Sequence, residues 1–250
     1  NINGDADLKT KINFDLSKKL KLKNLSYSML GDLKHFEIDT EEKKIIKKYL
    51  PSYNPQITLV DIILDLKPNK IEQKLKLKGK LCFDEFNCHL IDIAHKYYNK
   101  EKKNKILGTV NLDNAEIIIP RLNYKKNKDK NAILDLDIDF VLDNYYYINQ
   151  ASYKDERGIH GAIFLNNIKL NNKLELIGFD KNDSTNVRVK TYSDPSQPQI
   201  PNNDFSIKKS DKIVVSGKLF DAQSLLKSLY KSTDRKTFDK KFTSDLKINF

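Results

Sequence analysis

A chain of 250 residues, 39% hydrophobic and 32% charged, in which Ile, Leu, Phe and Tyr are plentiful and patterned, is not a disordered chain. Its net charge of +11 is carried by Lys, which together with Asn and Ile gives the composition of an AT-rich genome, so the charge alone does not call for a nucleic-acid partner. Two cysteines exclude a disulfide scaffold, and no window approaches the ~20 apolar residues that span a bilayer as a helix.

In chain order, the dominant signal is alternation of apolar and polar residues at period two, the mark of half-buried strands. Ala6 to Leu16 places Ala6, Leu8, Ile12, Phe14 and Leu16 on one face and Asp7, Lys9, Lys11, Asn13 and Asp15 on the other. Ser17 to Lys19 predicts a turn, and Leu20 opens a second strand whose parity shifts at Asn24, as a β-bulge would shift it. Gly31-Asp32 predicts a turn and Leu33 to Ile38 a short third strand. Thr40 to Tyr49 reads as a short helix capped by Thr40 and ended by Pro51 and Pro55. Ile57 to Leu66 is a strand. Ile71 to Phe83 is a cleaner one, with Leu75, Leu77 and Leu81 set against Lys74, Lys76, Lys78 and Lys80.

Asn87 to Tyr98 suits either a helix or a strand. Ile106 to Leu112 and Ala115 to Ile119 are strands, and Tyr124 to Asn131 is a basic turn. Ala132 to Leu142 repeats the alternation strongly, with Leu134, Leu136, Ile138 and Phe140 on one face and Asp135, Asp137 and Asp139 on the other. Asn144 to Tyr153 reads as irregular or as a poorly formed strand. Ile159 to Leu165, Ile168 to Leu170 and Lys173 to Phe179 read as strands with turns at Asn166-Asn167 and Asn171-Asn172. Asn186 to Tyr192 and Phe205 to Ile207 are short strands flanking a proline-rich loop, Asp194 to Asn203. The glycines are few and fall mostly at strand ends in this reading.

Residues 213–250 form a strand-helix-strand unit. Ile213 to Val215 is a strand ended by Ser216-Gly217, Asp221 caps a helix over Ala222 to Tyr230, and a polar linker leads to a strand from Phe242 to Phe250. A strand cut at Phe250 and a start at Asn1 read as an excerpt from a longer protein. The expected fold over residues 1–250 is mainly β: one large antiparallel, meandering sheet with an apolar face and one or two short helices. A strand of 11 residues is about 36 Å long, so several together make a broad apolar wall. That wall must curl on itself, pack a second sheet, or hold something apolar.

Catalytic and metal readings are weak throughout. Asp135, Asp137 and Asp139 lie about 6.8 Å apart along one strand face, too far apart to share an ion. Asp180, Asn182 and Ser184 resemble half of a calcium loop, but Thr185 stands where glycine is required and Thr191 where the closing acid belongs. Cys82, Cys88, His89 and His95 lack zinc-finger spacing, and His35 and His160 are isolated. Cys82 and Cys88 can meet across a turn in an oxidising compartment or remain two thiols. Tyr145, Tyr146 and Tyr147 read as packing rather than as a base-stacking platform. No phosphate-binding loop, nucleophile elbow or dinucleotide fingerprint occurs, so neither a catalytic residue nor a cofactor is assigned, and no nucleic acid is expected as a partner.

The run from Val214 through Ser216-Gly217, Phe220-Asp221 and the Leu-rich Leu225, Leu226 and Leu229, followed by a linker and the alternation of Phe242 to Phe250, resembles a recurring stretch of the AsmA-like proteins of bacterial envelopes, nearest the YhdP-like and TamB-like type. Gly4 to Leu16 is similar to their strand repeats. The resemblance implies a sheet curled into a long, taco-like groove with an apolar interior. It also implies tethering to the inner membrane of a Gram-negative bacterium through an anchor outside this segment, extension into the periplasm, and phospholipid transport toward the outer membrane in support of envelope integrity. On that reading Leu75, Leu77, Leu134, Leu136, Ile138 and Phe140 line the groove and bind phospholipid or another acyl-chain lipid. The alternative is a non-catalytic structural or adhesive β-sandwich module of an envelope protein, with a dry core.

Overall fold

The computed structural model describes residues 2–69, 71–156, 163–179, 185–192, 200–209, 211–223 and 246–249. Its strands, in chain order, are β1 (Ile2–Leu16), β2 (Leu22–Asp39), β3 (Gln56–Pro68), β4 (Glu72–Cys82), β5 (Cys88–Tyr98), β6 (Lys103–Asn111), β7 (Ile117–Ile119), β8 (Tyr124–Lys126), β9 (Ala132–Val141), β10 (Tyr145–Asp155), β11 (Ile163–Asn171), β12 (Leu176–Phe179), β13 (Val187–Thr191), β14 (Asn203–Lys209), β15 (Ile213–Leu219) and β16 (Leu246–Asn249). One short helix, α1 (Lys44–Tyr49), lies between β2 and β3.

The strands form one open sheet in nearly sequential order, β1-β2-β3-β4-β5-β6-β9-β10-β11-β13-β14-β15-β16, with β12 attached to β11. Neighbours are antiparallel except β15 and β16, which pair in parallel. The separate β7–β8 hairpin and α1 sit at one end. Sequential antiparallel pairing follows from the short polar turns, because a turn of a few residues can only return the chain alongside itself.

The two ends of the sheet differ. At one end β1–β2, β3–β4, β5–β6, β9–β10 and β14–β15 are joined by tight turns. At the other, β2–β3 and β6–β9 are joined by the excursions that carry α1 and the β7–β8 hairpin. These excursions make a cap. Leu50, just after α1, packs against a buried cluster of Leu112, Ala115, Tyr124, Ala132 and Tyr153. The 3-10 turn Pro120–Leu122 then reaches the far side of the sheet, where Leu122 O accepts from Asn203 Nδ2 at 2.7 Å and from Asn202 Nδ2 at 2.9 Å.

That cap shows that the sheet curls. β3 and β14 are eight strand positions apart, about 38 Å on a flat sheet. A six-residue helix and a hairpin of two three-residue strands with its 3-10 turn bridge them, which is too little length unless the strands bend toward each other. Glycines supply the creases. Gly31, Gly79, Gly108 and Gly217 all lie inside strands, and a Cβ on Gly108 would stand 2.5 Å from the Asp92 carbonyl oxygen.

Several expectations need correction. β2 is continuous through Gly31-Asp32, because pairing to β1 and β3 on both sides overrides the turn-forming dipeptide. Ser216-Gly217 likewise does not end β15, and the expected turn at Asn166-Asn167 is an irregularity within the single strand β11. Asn144 to Tyr153 belongs to a regular strand, β10. Asn87 to Tyr98 resolves as strand β5. The basic turn at Tyr124 is strand β8, with Lys126 buried. Thr40 does not cap α1: its Oγ1 donates to Pro55 O at 2.7 Å and ties the loop shut instead. The described glycines sit within strands rather than at their ends.

The bulge expected at Asn24 is present, with Asn24 at φ 51° opposite a register shift between Asn13 and Asp15. Asp221 accepts the Gln223 amide at 3.0 Å, but the helix expected from Ala222 to Tyr230 lies, beyond Gln223, outside the described residues, as do positions 242–245 and 250 of the last strand. His160 and Asp180 to Ser184 also lie outside them.

Candidate functional site

Residues directly opposite one another in a sheet share a face, so the register maps each face across the strands. One row runs Met29, Leu66, Leu75, His95, Ile106, Ile138, Ile148, Ile168. The next, toward the cap, runs Gly31, Leu64, Leu77, Ile93, Gly108, Leu136, Ala151, Leu165, Val187, Ile207, Val215. A third carries Ile91, Val110, Leu134, Tyr153, Ile163, Val189 and Phe205. The six residues assigned to a groove therefore lie on one continuous apolar face. Leu75 and Leu77 stand on β4, and Leu134, Leu136, Ile138 and Phe140 on β9. All six are half-buried.

No second sheet covers this face among the described residues, since each large-sheet strand makes its main contacts with its sheet neighbours. A β-sandwich is thus not the architecture found. Burial on the face comes from curling and from side chains covering one another. Ile62 is fully buried, and Leu33, Leu59 and Ile91 pack against it.

The face is polar toward the tight-turn end. The row there is Gln73, Tyr97, Asn104, Phe140, Tyr146. Asn104 Oδ1 and His95 Nε2 are 2.9 Å apart, and the Phe140 ring stacks between His95 and Tyr146 at 6.4 and 5.7 Å. The apolar strip is thus bounded by a hydrogen-bonding, aromatic rim at one end and by the cap at the other.

Lys126 and Tyr124, buried in the cap, are each held by a specific partner set, whereas His89 is not. Lys126 Nζ donates to the carbonyls of Asp113, Ala115 and Asn127, and burial pulls its pKa below the ordinary lysine value. Tyr124 donates to Asp155 at 2.7 Å and lies 2.8 Å from the Tyr153 hydroxyl. Burial raises the pKa of both tyrosines, which stay neutral. His89 is buried beside Phe83, neither ring nitrogen makes a hydrogen bond of good geometry, and burial lowers its pKa.

Cys82 and Cys88 pair. They are register partners on β4 and β5, with Cα atoms 4.0 Å apart, and form a disulfide across the hairpin. The Phe83 amide donates to Asn87 O, so the cysteines occupy the adjacent non-hydrogen-bonded site, where opposing side chains come closest. Asp84 closes the turn by accepting from the Phe86 and Asn87 amides, and the Phe86 bond holds its carboxyl below the usual range.

The opposite face mixes partnered charges with apolar side chains, among them Leu90, Leu107 and Ile133. Asp135 accepts from Thr109 Oγ1 at 2.9 Å, Asp137 pairs with Lys105 at 2.8 Å, and Asp139 pairs with Lys103 at 2.8 Å, which raises the Lys103 pKa. The aspartates are therefore partnered rather than simply solvated. Among the described residues no cluster of three or more metal-ligating side chains forms. This face also carries a shallow depression of about 750 Å³ lined by Lys76, Lys78 and Asp92 together with the apolar Leu90, Leu107 and Ile133, and it includes none of the six assigned residues. Tyr145 and Tyr147 lie on this side, with Lys169 Nζ 4.9 Å from the Tyr145 ring. His35 is exposed, 3.3 Å from Glu37.

Sequence reasoning left the disulfide open and missed the in-strand glycines and the polar rim. The glycine signal was present at Gly79 and Gly108, each inside an otherwise regular alternation. No protein-family profile matches the chain, and no curated protein or solved structure resembles it significantly.

Proposed function

We propose that this chain is a lipid-binding, lipid-conducting segment of an AsmA-like envelope protein, carrying phospholipid acyl chains along the apolar face of its curled sheet. The observation that carries this reading is the continuous apolar face, running from β2 to β15 with no protein layer over it among the described residues. An acyl chain gains about 0.8 kcal/mol for each methylene moved out of water, and it needs no directional partner to do so. The rim of Gln73, Tyr97, His95 and Asn104 offers hydrogen-bonding groups where a headgroup would lie. The disulfide fits an oxidising compartment such as the periplasm.

The test is loading with a fluorescent long-chain fatty acid. Leu136→Asp together with Ile138→Asp puts charge on the apolar face and abolishes loading. Lys76→Glu, on the opposite face, leaves loading unchanged. Equal loading of both variants sinks the assignment, provided circular dichroism shows both folded.

A further inference from the structure

β1 and β2 are longer than their neighbours. β3 pairs with β2 only from Met29 onward, so, among the described residues, positions 11–28 project beyond β3 as a hairpin about 20 Å long. Its two faces differ in character. Ile12 pairs with Tyr27 and Leu16 with Leu22, and Phe14 and Leu25 complete that side, which continues the sheet's apolar face. Phe14, Leu16, Leu22 and Leu25 are each more than half exposed, and Leu20 in the turn is 79% exposed. Flanking them are Lys9, Lys11, Lys18, Lys19, Lys21 and Lys23 against the single Asp15, which is held by Asn24.

A second observation extends the pattern. The turns at the same end of the sheet expose Ile71 at 68% and Leu142 at 69%. Phe86, in the β4–β5 turn at the opposite end, is exposed at 83% but follows Asp84 and Glu85. The hairpin instead joins its exposed apolar side chains to lysines, and that combination matches the interface of an anionic bilayer. Apolar side chains reach below the headgroups while lysine stems lie along them and the ammonium groups meet phosphate. A second copy of this chain would bring the same lysines together and repel.

We infer that the projecting β1–β2 hairpin is a membrane-docking element that inserts its apolar tip into the interface of an anionic lipid bilayer. The surface is distinct from the six assigned groove residues, and docking there does not require the groove to carry lipid. Docking brings the tight-turn end of the apolar face, with its polar rim, against the bilayer.

The test is co-flotation of the full chain with phosphatidylcholine vesicles, with and without phosphatidylglycerol. The expected result is binding that requires phosphatidylglycerol and weakens with salt. Leu16→Glu with Leu22→Glu abolishes it, and Lys18→Gln with Lys19→Gln lowers it about 25-fold, taking roughly fivefold per lysine. Both pairs are exposed, and an unchanged thermal melt shows that the fold survives. Equal binding to neutral vesicles, no response to either variant, or a concentration-dependent dimer lost in the Leu16/Leu22 variant without vesicle binding each overturns the proposal. Lipid retained within the purified chain is read separately by mass spectrometry, so failure of the groove and failure of the hairpin are distinguishable.

Discussion

Replacing Gly108 by alanine tests the curl of the sheet. Gly108 lies between Ile93 on β5 and Leu136 on β9. The added Cβ would stand 2.5 Å from the Asp92 carbonyl oxygen and 2.8 Å from the Ile93 Cα, both rigid backbone atoms. Ordinary contact begins at about 3.4 Å, so β5 and β6 must part by most of an ångström or the crease must open. Forced overpacking of this kind costs about 1–3 kcal/mol. With a urea m-value of about 3 kcal/mol/M, the expected fall in the unfolding midpoint is roughly 0.3–1 M. Gly178→Ala is the control, because nothing lies within 4 Å of its added Cβ. It should fall within about 0.5 kcal/mol of the unmodified chain. An unchanged midpoint for Gly108→Ala would refute the claim that close strand approach at glycine shapes the sheet.

Replacing Cys82 and Cys88 together by serine should lower stability by about 2 kcal/mol, the value for closing so short a loop, and reductant should reproduce the loss in the unmodified chain. Tyr124 and Tyr153 have pKa values raised in the folded state, so their stabilisation is complete below the unfolded value of 10.0 and is lost as pH rises above it. Thermal melts should therefore fall from about pH 10 upward, and Tyr124→Phe should flatten that fall while costing about 1–2 kcal/mol at neutral pH. His89 has a lowered pKa, so its contribution is present above 6.5 and declines as pH drops below that value. His89→Leu should remove that acid limb, measured by melts between pH 4 and 8.

The legible part of this fold was local. Alternation in β4 and β9 depends on neighbours two residues away, and both strands and their faces could be read directly. So could the bulge at Asn24, because a parity change is itself local. What failed was set by distant partners. Gly31-Asp32 is a turn signal until β1 and β3 flank it, and Ser216-Gly217 is one until β14 does. Lys126 reads as a turn lysine until the carbonyls of Asp113 and Ala115 surround it. Thr40 looks like a helix cap unless the Pro55 carbonyl is known to be within reach. The apolar face was foreseen strand by strand, but its continuity across the sheet is a matter of register, which one sequence read alone does not contain.

The most direct measurement is native mass spectrometry of the purified chain, followed by solvent extraction and identification of the released lipid. The account predicts bound phospholipid at a reproducible ratio, absent from the Leu136→Asp/Ile138→Asp variant. A folded, monomeric, lipid-free chain that also takes up no added phospholipid would contradict it.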